Sequence, residues 1–245
     1  MFRWYPRRRL TSLRPLASAT GMFGHAIGEV LAFGVGVALS PLAVVAVVVM
    51  LVAPGGAQTA WAFVAGWVIS LSLVSTAVLL LADGGDASTS GEPATWVSAV
   101  KIVLGVLLVL FALRQWRGRG EAENEAPAWM RKLDNMTVAK AFGLAALFNV
   151  VKPKNLLLAI GAGVAVAQVG ASSTGQTVGI AAFVTIATAG PGIPLAIHVA
   201  MPKRGRGVLL ALRDWMVREN AIIIAVVSLI IAAKLIGDAL VALAS

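Results

Sequence analysis

Two lysines, two asparagines and a proline lie close together inside one apolar stretch of the chain. Residues 149–156 read NVVKPKNL, and the apolar stretch around them runs from Ala139 to Gly170. A charged side chain near the centre of a bilayer costs about 2.5 to 3.5 kcal/mol on insertion scales, so lysines at that depth indicate a functional site. The alternative is a surface loop between two short helices, in which the lysines would be solvated. The candidate substrate-binding residues of this stretch are Asn149, Lys152, Pro153, Lys154 and Asn155.

A second proline lies deep in an earlier apolar stretch, at Ser40-Pro41. A proline inside a helix removes one backbone donor and clashes with the carbonyl four residues earlier. Backbone freed in this way inside a membrane must be covered by protein or must line a wet cavity. We therefore add Ser40 and Pro41 to the candidate site, while a simple kink packed by neighbouring helices remains the alternative.

The side chains of the lysine cluster suit such a break. Asn149 and Asn155 could cap the two broken helix ends. Lys152 and Lys154 could meet an anionic group or a proton-linked carboxylate.

The composition indicates that this protein is embedded in a lipid bilayer. The chain has 245 residues, of which 59% are hydrophobic and 13% charged, whereas soluble domains have about 45–50% apolar and about 25% charged residues. A helix needs about 20 apolar residues to cross a bilayer. Six runs approach or exceed that length, near 25–52, 59–82, 96–113, 139–166, 178–200 and 220–242. The sequence predicts an all-α integral membrane protein with six transmembrane helices and no separate soluble domain.

Basic residues are distributed unevenly among the connections between these spans. Connections 83–95 and 167–177 contain no Lys or Arg, whereas 114–138 and 201–219 carry five each. Because cytoplasmic loops are enriched in Lys and Arg, we place the two basic connections in the cytoplasm and the C-terminus outside. The net charge of +9 is then explained by cytoplasmic loops, and we expect no nucleic-acid partner.

The first 21 residues contradict this orientation. They hold five arginines and would lie outside, although basic tails favour the cytoplasmic side. We interpret residues 1–21 as an over-extended start before Met22; the alternative is a genuine tail that strains the topology. The remaining domains are a first three-helix repeat (22–113), a charged cytoplasmic loop (114–138) and a second three-helix repeat (139–245).

The two halves resemble each other. AFGVGVALSP at 32–41 is echoed by AFGLAALFNVVKP at 141–153, and AQTAWAFVAG at 57–66 by GQTVGIAAFV at 175–184. Each half has three spans, an odd number, so the second copy would be inverted relative to the first. Inverted repeats are typical of secondary transporters, whose substrate lies near the midplane on helices interrupted at corresponding positions. The pattern predicts that helices 1 and 4 are interrupted at their prolines.

Other residues within the spans are candidates for gating or charge pairing. In the fifth span, Pro191 and Pro194 with two glycines argue against an unbroken helix and predict a hinge or cavity lining. The intramembrane charges would form pairs, or would snorkel to the interface. These charged residues are Glu29, Lys101, Lys234 and Asp238.

One connection also carries an amphipathic pattern. GVLLALRDWMVREN at 207–220 alternates apolar and basic positions at helical spacing. Such a segment is typical of a helix that lies on the membrane surface.

Several segments resemble a known family. ALSPLAVVAVVVML at 38–51 and KPKNLLLAIGAG at 152–163, with the basic connection between spans three and four, resemble the lysine-exporter (LysE) superfamily. FVAGWVISLSLV at 63–74, KIVLGVLLVLFALRQW at 101–116 and LRDWMVREN at 212–220 look most like its GAP family, the glycolipid- or sulfolipid-addressing proteins. The resemblance covers about 22–243 and implies outward transport, because superfamily members export amino acids or ions and GAP proteins are implicated in delivering envelope glycolipids. Leu42 and Ala43 follow Pro41 where the superfamily usually has a second proline, which argues against an amino-acid substrate.

The leading hypothesis is an inner-membrane exporter or translocation factor for an envelope (glyco)lipid or a small metabolite. Since the sequence shows no nucleotide loop, metal-ligand cluster or catalytic triad, we expect gradient-driven transport, no enzyme activity, no cofactor and no metal. The alternative is a non-transporting membrane scaffold for envelope-lipid biosynthesis and export machinery. The expected partners are the lipid bilayer, the substrate, and either a second copy of the chain or envelope-lipid biosynthesis proteins.

Overall fold

The structure, a computed structural model, describes residues 27–28, 30–83, 88–89, 92–93, 95–118, 136–168, 172–201 and 204–244. The basic tail, Glu29 and the acidic part of the 114–138 loop lie outside the described residues. The described part folds into nine helices and one pair of two-residue strands. The helices are α1 (Val30–Ala38), α2 (Pro41–Val52), α3 (Ala57–Asp83), α4 (Thr95–Arg117), α5 (Val138–Val150), α6 (Pro153–Gln168), α7 (Ser173–Ala200), α8 (Gly205–Arg218) and α9 (Asn220–Ala244). The antiparallel strands β1 (Ser88–Thr89) and β2 (Glu92–Pro93) lie in the connection between α3 and α4.

Four helices, α3, α4, α7 and α9, are each long and apolar enough to cross a membrane. Two further spans are bent pairs, with a bend of 47° between α1 and α2 and of 71° between α5 and α6. Pro41 is the first residue of α2 and Pro153 is the first residue of α6. The predicted interruptions at these prolines are therefore confirmed, and the chain is a multi-pass membrane protein.

The pair α5–α6 runs along α3 as a single broken span. Gly66 of α3 approaches the backbone of Phe142 in α5, and Gly163 of α6 approaches the backbone of Ser75 in α3. The residue numbers of these contacts increase together along α3 and along α5–α6. The broken span therefore runs in the same direction as α3 on both sides of its break. A re-entrant loop would reverse that order at the break.

The pair α1–α2 packs on α7. Gly34 of α1 lies against Ile186, and Gly190 lies against the backbone of Ala38 at the end of α1. In the third pair, Gly105 of α4 lies against Ile236 of α9. Each broken span thus packs along the second span of the other half, and the third spans pack together.

The four largest fully buried side chains belong to α1, α3 and α7; they are Phe33, Phe63, Trp67 and Phe183. Ser40 and Lys154 at the two breaks are buried as well. Leucines on the outer faces of α3 and α4, by contrast, are well exposed, with Leu80 at 66% and Leu110 at 57%. The core therefore holds the breaks, and the outer faces are those expected to meet lipid.

The α7 helix corrects one prediction. Residues Pro191 and Pro194 were expected to interrupt the fifth span, but α7 continues through both to Ala200. A proline at 191 leaves the carbonyl of Ala187 without its helical donor. The indole Nε1 of Trp67 donates to that carbonyl at 3.3 Å. A neighbouring helix thus supplies the missing donor, which is how membrane helices tolerate proline.

We expect Trp67→Phe to destabilise the protein by at least about 1 kcal/mol, the scale of a hydrogen bond between membrane helices, because the smaller ring also leaves a cavity at this fully buried site. The phenyl ring keeps the stacking on Phe63, whose centroid lies 5.9 Å from that of Trp67, but leaves the carbonyl of Ala187 without a donor. Thermal unfolding of the detergent-purified protein would measure the change. Trp61→Phe is the matched control, because Trp61 is on the same helix and is 56% exposed. An equal loss in both variants would contradict this role for Trp67.

The amphipathic segment predicted at 207–220 forms α8, which packs on α2. Leu209 and Met216 are buried, while Trp215 is 46% exposed. Arg206 and Arg218 are also exposed. This separation of apolar and basic faces matches a helix lying at a membrane surface.

Candidate functional site

The two breaks meet through the side chain of Lys154. Its ammonium is buried and donates to the carbonyl of Gly36 at 2.8 Å and to that of Leu39 at 2.9 Å. In an unbroken helix, those carbonyls would accept from the backbone of residues 40 and 43. The amide of Ala43 instead donates to Ser40 at 3.0 Å. Lys154 of the second half therefore caps the broken end of α1 in the first half.

The electrostatics of this contact are favourable without a carboxylate. The C-terminal end of a helix carries a partial negative charge on its unpaired carbonyls. A lysine ammonium is a compact cation with three donors, and two of them are used by Gly36 and Leu39. The charge of Lys154 is thus stabilised by backbone dipoles, and one further donor can serve a ligand.

The two asparagines connect the second break to α3. Asn149 Nδ2 donates to Ser70 Oγ at 2.9 Å and to the carbonyl of Trp67 at 3.4 Å. Asn155 Nδ2 donates to Asn149 Oδ1 at 3.2 Å and to the carbonyl of Phe148 at 3.5 Å. Asn155 thus reaches the last turn of α5, whereas Asn149 turns towards the neighbouring helix. Both amides are fully buried, so this network fixes α3, α5 and α6 relative to one another.

Lys152 lies between α5 and α6 in a different environment. Its Nζ is 3.7 Å from the centroid of the Phe148 ring, a cation–π contact. The side chain is half-buried, and Val151 and Pro153 on either side of it are exposed. Lys152 is therefore the lysine of this cluster that is nearer to the outer surface.

Ser40 and Pro41 form the first break. Both are buried, and Ser40 is the N-cap residue of α2 without a side-chain capping bond. Pro41 begins α2 at a position where its missing amide costs no intrahelical bond.

One protein-family model matches most of the length of the chain and thereby shows its family. A family model described as Sap, sulfolipid-1-addressing protein, matches residues 30–241. The chain belongs to this family. The match covers both breaks and nearly all of the described helices, and it confirms the sulfolipid-addressing part of the resemblance seen in the sequence. No curated protein and no solved structure matched the chain.

The predicted gating charges that the structure describes lie on α4 and α9 rather than on the two broken spans. Lys234 and Asp238 form an ion pair of 2.6 Å on α9, as their spacing of one helical turn allows. Lys101 is buried on α4, the helix that packs on α9. Pro191 and Pro194 are within continuous α7. The structure thus brings together Ser40, Pro41, Asn149, Lys152, Pro153, Lys154 and Asn155. Pro191 adjoins Gly190, which packs against Ala38 at the end of α1, whereas Glu29 lies outside the described residues.

Sequence reasoning missed the partners of these residues. Trp67 and Ser70 both bind Asn149, and the carbonyls of Gly36 and Leu39 hold Lys154. A sequence signal existed only for a different contact of Trp67, that of its indole with the carbonyl of Ala187, since a buried indole usually finds a hydrogen-bond partner. No residue type marks a backbone carbonyl as an acceptor.

Proposed function

We propose that this protein exports an envelope lipid, or a small metabolite related to one, across the cytoplasmic membrane. The family description names sulfolipid addressing, which supports a role in envelope lipid localisation. The observation that carries the transport proposal is the buried ammonium of Lys154, which joins the two broken spans. A structural helix contact would not need a charge at this depth, where charges are costly.

The packing of the halves supports an inverted-repeat mechanism. The pair α1–α2 packs on α7, and α5–α6 packs on α3, so each broken span is held by the other half. In transporters built from inverted repeats, one repeat rocks against the other around a site at the interrupted helices. Such a movement would separate Lys154 on α6 from its acceptors on α1.

An anionic headgroup would couple to this movement through charge. Its oxygens would compete with the carbonyls of Gly36 and Leu39 for the ammonium of Lys154. Charge-assisted hydrogen bonds to an anion are stronger than those to a neutral carbonyl. Substrate binding would therefore weaken the contact between the halves, and an ion gradient would drive the cycle.

A flux assay tests this function directly. The purified protein would be reconstituted into liposomes and supplied with a fluorescent sulfated glycolipid in one leaflet. An imposed proton or sodium gradient should accelerate the appearance of the probe in the other leaflet, as measured by an impermeant quencher. Equal rates in protein-containing and empty liposomes, with every gradient tested, would contradict export.

The proposed orientation has its own test, because the chain has no native cysteine. Single cysteines at Ser88 and Ser172 should react with an impermeant thiol reagent applied outside the cell. A cysteine at Ala122, in the basic 114–138 connection, should react only after the membrane is opened. Labelling of Ala122 from outside would overturn the positive-inside assignment.

A scaffold function is the second candidate, and α8 favours it. The exposed residues of this helix include Arg206, Trp215 and Arg218, and its exposed surface could dock envelope-lipid biosynthesis proteins. A scaffold needs this surface and does not need Lys154. Loss of lipid localisation in α8 variants together with a normal phenotype in Lys154 variants would favour the scaffold.

A further inference from the structure

A groove lies between α4 and the break of the α5–α6 span. Its volume is about 380 Å³, within the range of roughly 300 to 1,000 Å³ that ligand sites occupy. Both walls include exposed apolar side chains, such as Leu110 at 57% and Val151 at 63%, so the groove opens towards the lipid. The lining residues include Leu107, Leu110 and Arg114 of α4 and Val151 and Pro153 at the break.

The break itself forms one wall of this groove. Val151 and Pro153 flank the 71° bend, and the first turn of α6 continues the wall. On the other wall, Leu107, Leu110 and Arg114 recur at helical spacing along one face of α4, while the α4 surface around Gly105 packs on α9. The groove thus connects the outer surface of the molecule with the interrupted span.

Charge is concentrated at one end of the groove. Of the described residues that line it, Arg114 alone is charged. Arg114 lies three residues before the end of α4, in the same last turn as Trp116, which is 45% exposed. Exposed tryptophans are enriched at the membrane interface. From there the wall extends seven residues to Leu107, about 10 Å of helix, into a hydrocarbon core about 30 Å thick.

Any lipid chain can fill a groove that is open to hydrocarbon, so the apolar lining alone does not discriminate between lipids. The guanidinium of Arg114 at its end favours anionic lipids, because its planar set of donors binds phosphate or sulfate oxygens in pairs. We propose that this groove binds one anionic lipid, with the headgroup on Arg114 and an acyl chain along α4 towards Pro153. The role of this lipid as export substrate, entering the break from the inner leaflet, rests on the proposed function.

Lipid binding to the full chain tests the groove. The detergent-purified protein would be titrated with phosphatidylglycerol or with phosphatidylcholine of identical chains, and bound lipid would be counted by native mass spectrometry. We expect about a tenfold preference for phosphatidylglycerol, which Arg114→Gln should abolish without changing phosphatidylcholine binding. Arg117→Gln is the matched control, since Arg117 is exposed on the same helix but does not line the groove.

A second pair of variants tests the apolar part. Leu110→Trp fills the groove and should weaken the binding of both lipids, whereas Leu80→Trp, at a comparably exposed site on α3, should not. The proposed lipid site would be contradicted if the protein showed no preference for phosphatidylglycerol. It would also be contradicted if Arg114→Gln and Arg117→Gln lost phosphatidylglycerol binding equally. Such a result in a protein that still exports would leave the proposed function intact. Binding that depends on Arg114 in a protein that does not export would support the groove and contradict export.

Discussion

Replacing Lys154 by methionine should reduce export at least tenfold while leaving the amount of folded protein near normal. The variant loses two charge-assisted hydrogen bonds, to the carbonyls of Gly36 and Leu39, and hydrogen bonds to charged groups contribute about 1.5 to 3 kcal/mol each. Two effects on stability oppose each other. Unpaired carbonyls cost about 1 to 3 kcal/mol, whereas removing an intramembrane charge gains up to about 3 kcal/mol.

The liposome flux assay would measure this loss, with protein quantity and monodispersity checked first. Lys154→Arg should retain some export, because it keeps the charge but forces a larger planar group into a buried site. Lys140→Met is the control, since Lys140 is exposed in the first turn of α5. Wild-type export by a folded Lys154→Met protein would remove Lys154 from the site and favour the scaffold.

The parts of the fold that depend on local chemistry could be predicted from the sequence. Apolar run length located the spans closely, for example 59–82 against α3 at Ala57–Asp83. The breaks at Pro41 and Pro153 were predictable because a proline acts on its own helix. The i, i+4 spacing of Lys234 and Asp238 likewise indicated their ion pair.

The parts that depend on a distant partner could not be predicted. Pro191 has the same local effect as Pro153, yet α7 continues because Trp67, 120 residues away from Ala187, supplies a donor. Lys154 was expected to meet an anion, but its acceptors are carbonyls more than 100 residues earlier. In both cases the contact joins residues far apart in the chain, so the local sequence around the proline or the lysine does not reveal it.

The contact between α7 and α1 leads to the second large effect, in Gly190→Ala. A methyl group at Gly190 would lie 2.0 Å from the carbonyl oxygen of Ala38, so the two helices must move apart. Overpacking of this kind typically costs about 1 to 3 kcal/mol, and a backbone obstacle places the cost at the upper end. We expect a fall in the melting temperature of the detergent-purified protein of roughly 5 °C or more.

The same displacement should also reduce export by the protein that remains folded. Leu39 follows Ala38, and its carbonyl is an acceptor of Lys154, so shifting the end of α1 moves the acceptor away from the ammonium. Gly192→Ala is the matched control: the nearest atom to its added methyl is 3.9 Å away, and alanine is the better helix former by up to about 1 kcal/mol. This control should be as stable as the parent or more so, with normal export. If Gly190→Ala lost stability but exported normally once folded, the α1–α7 contact would be structural only and the position of the α1 end would not control transport.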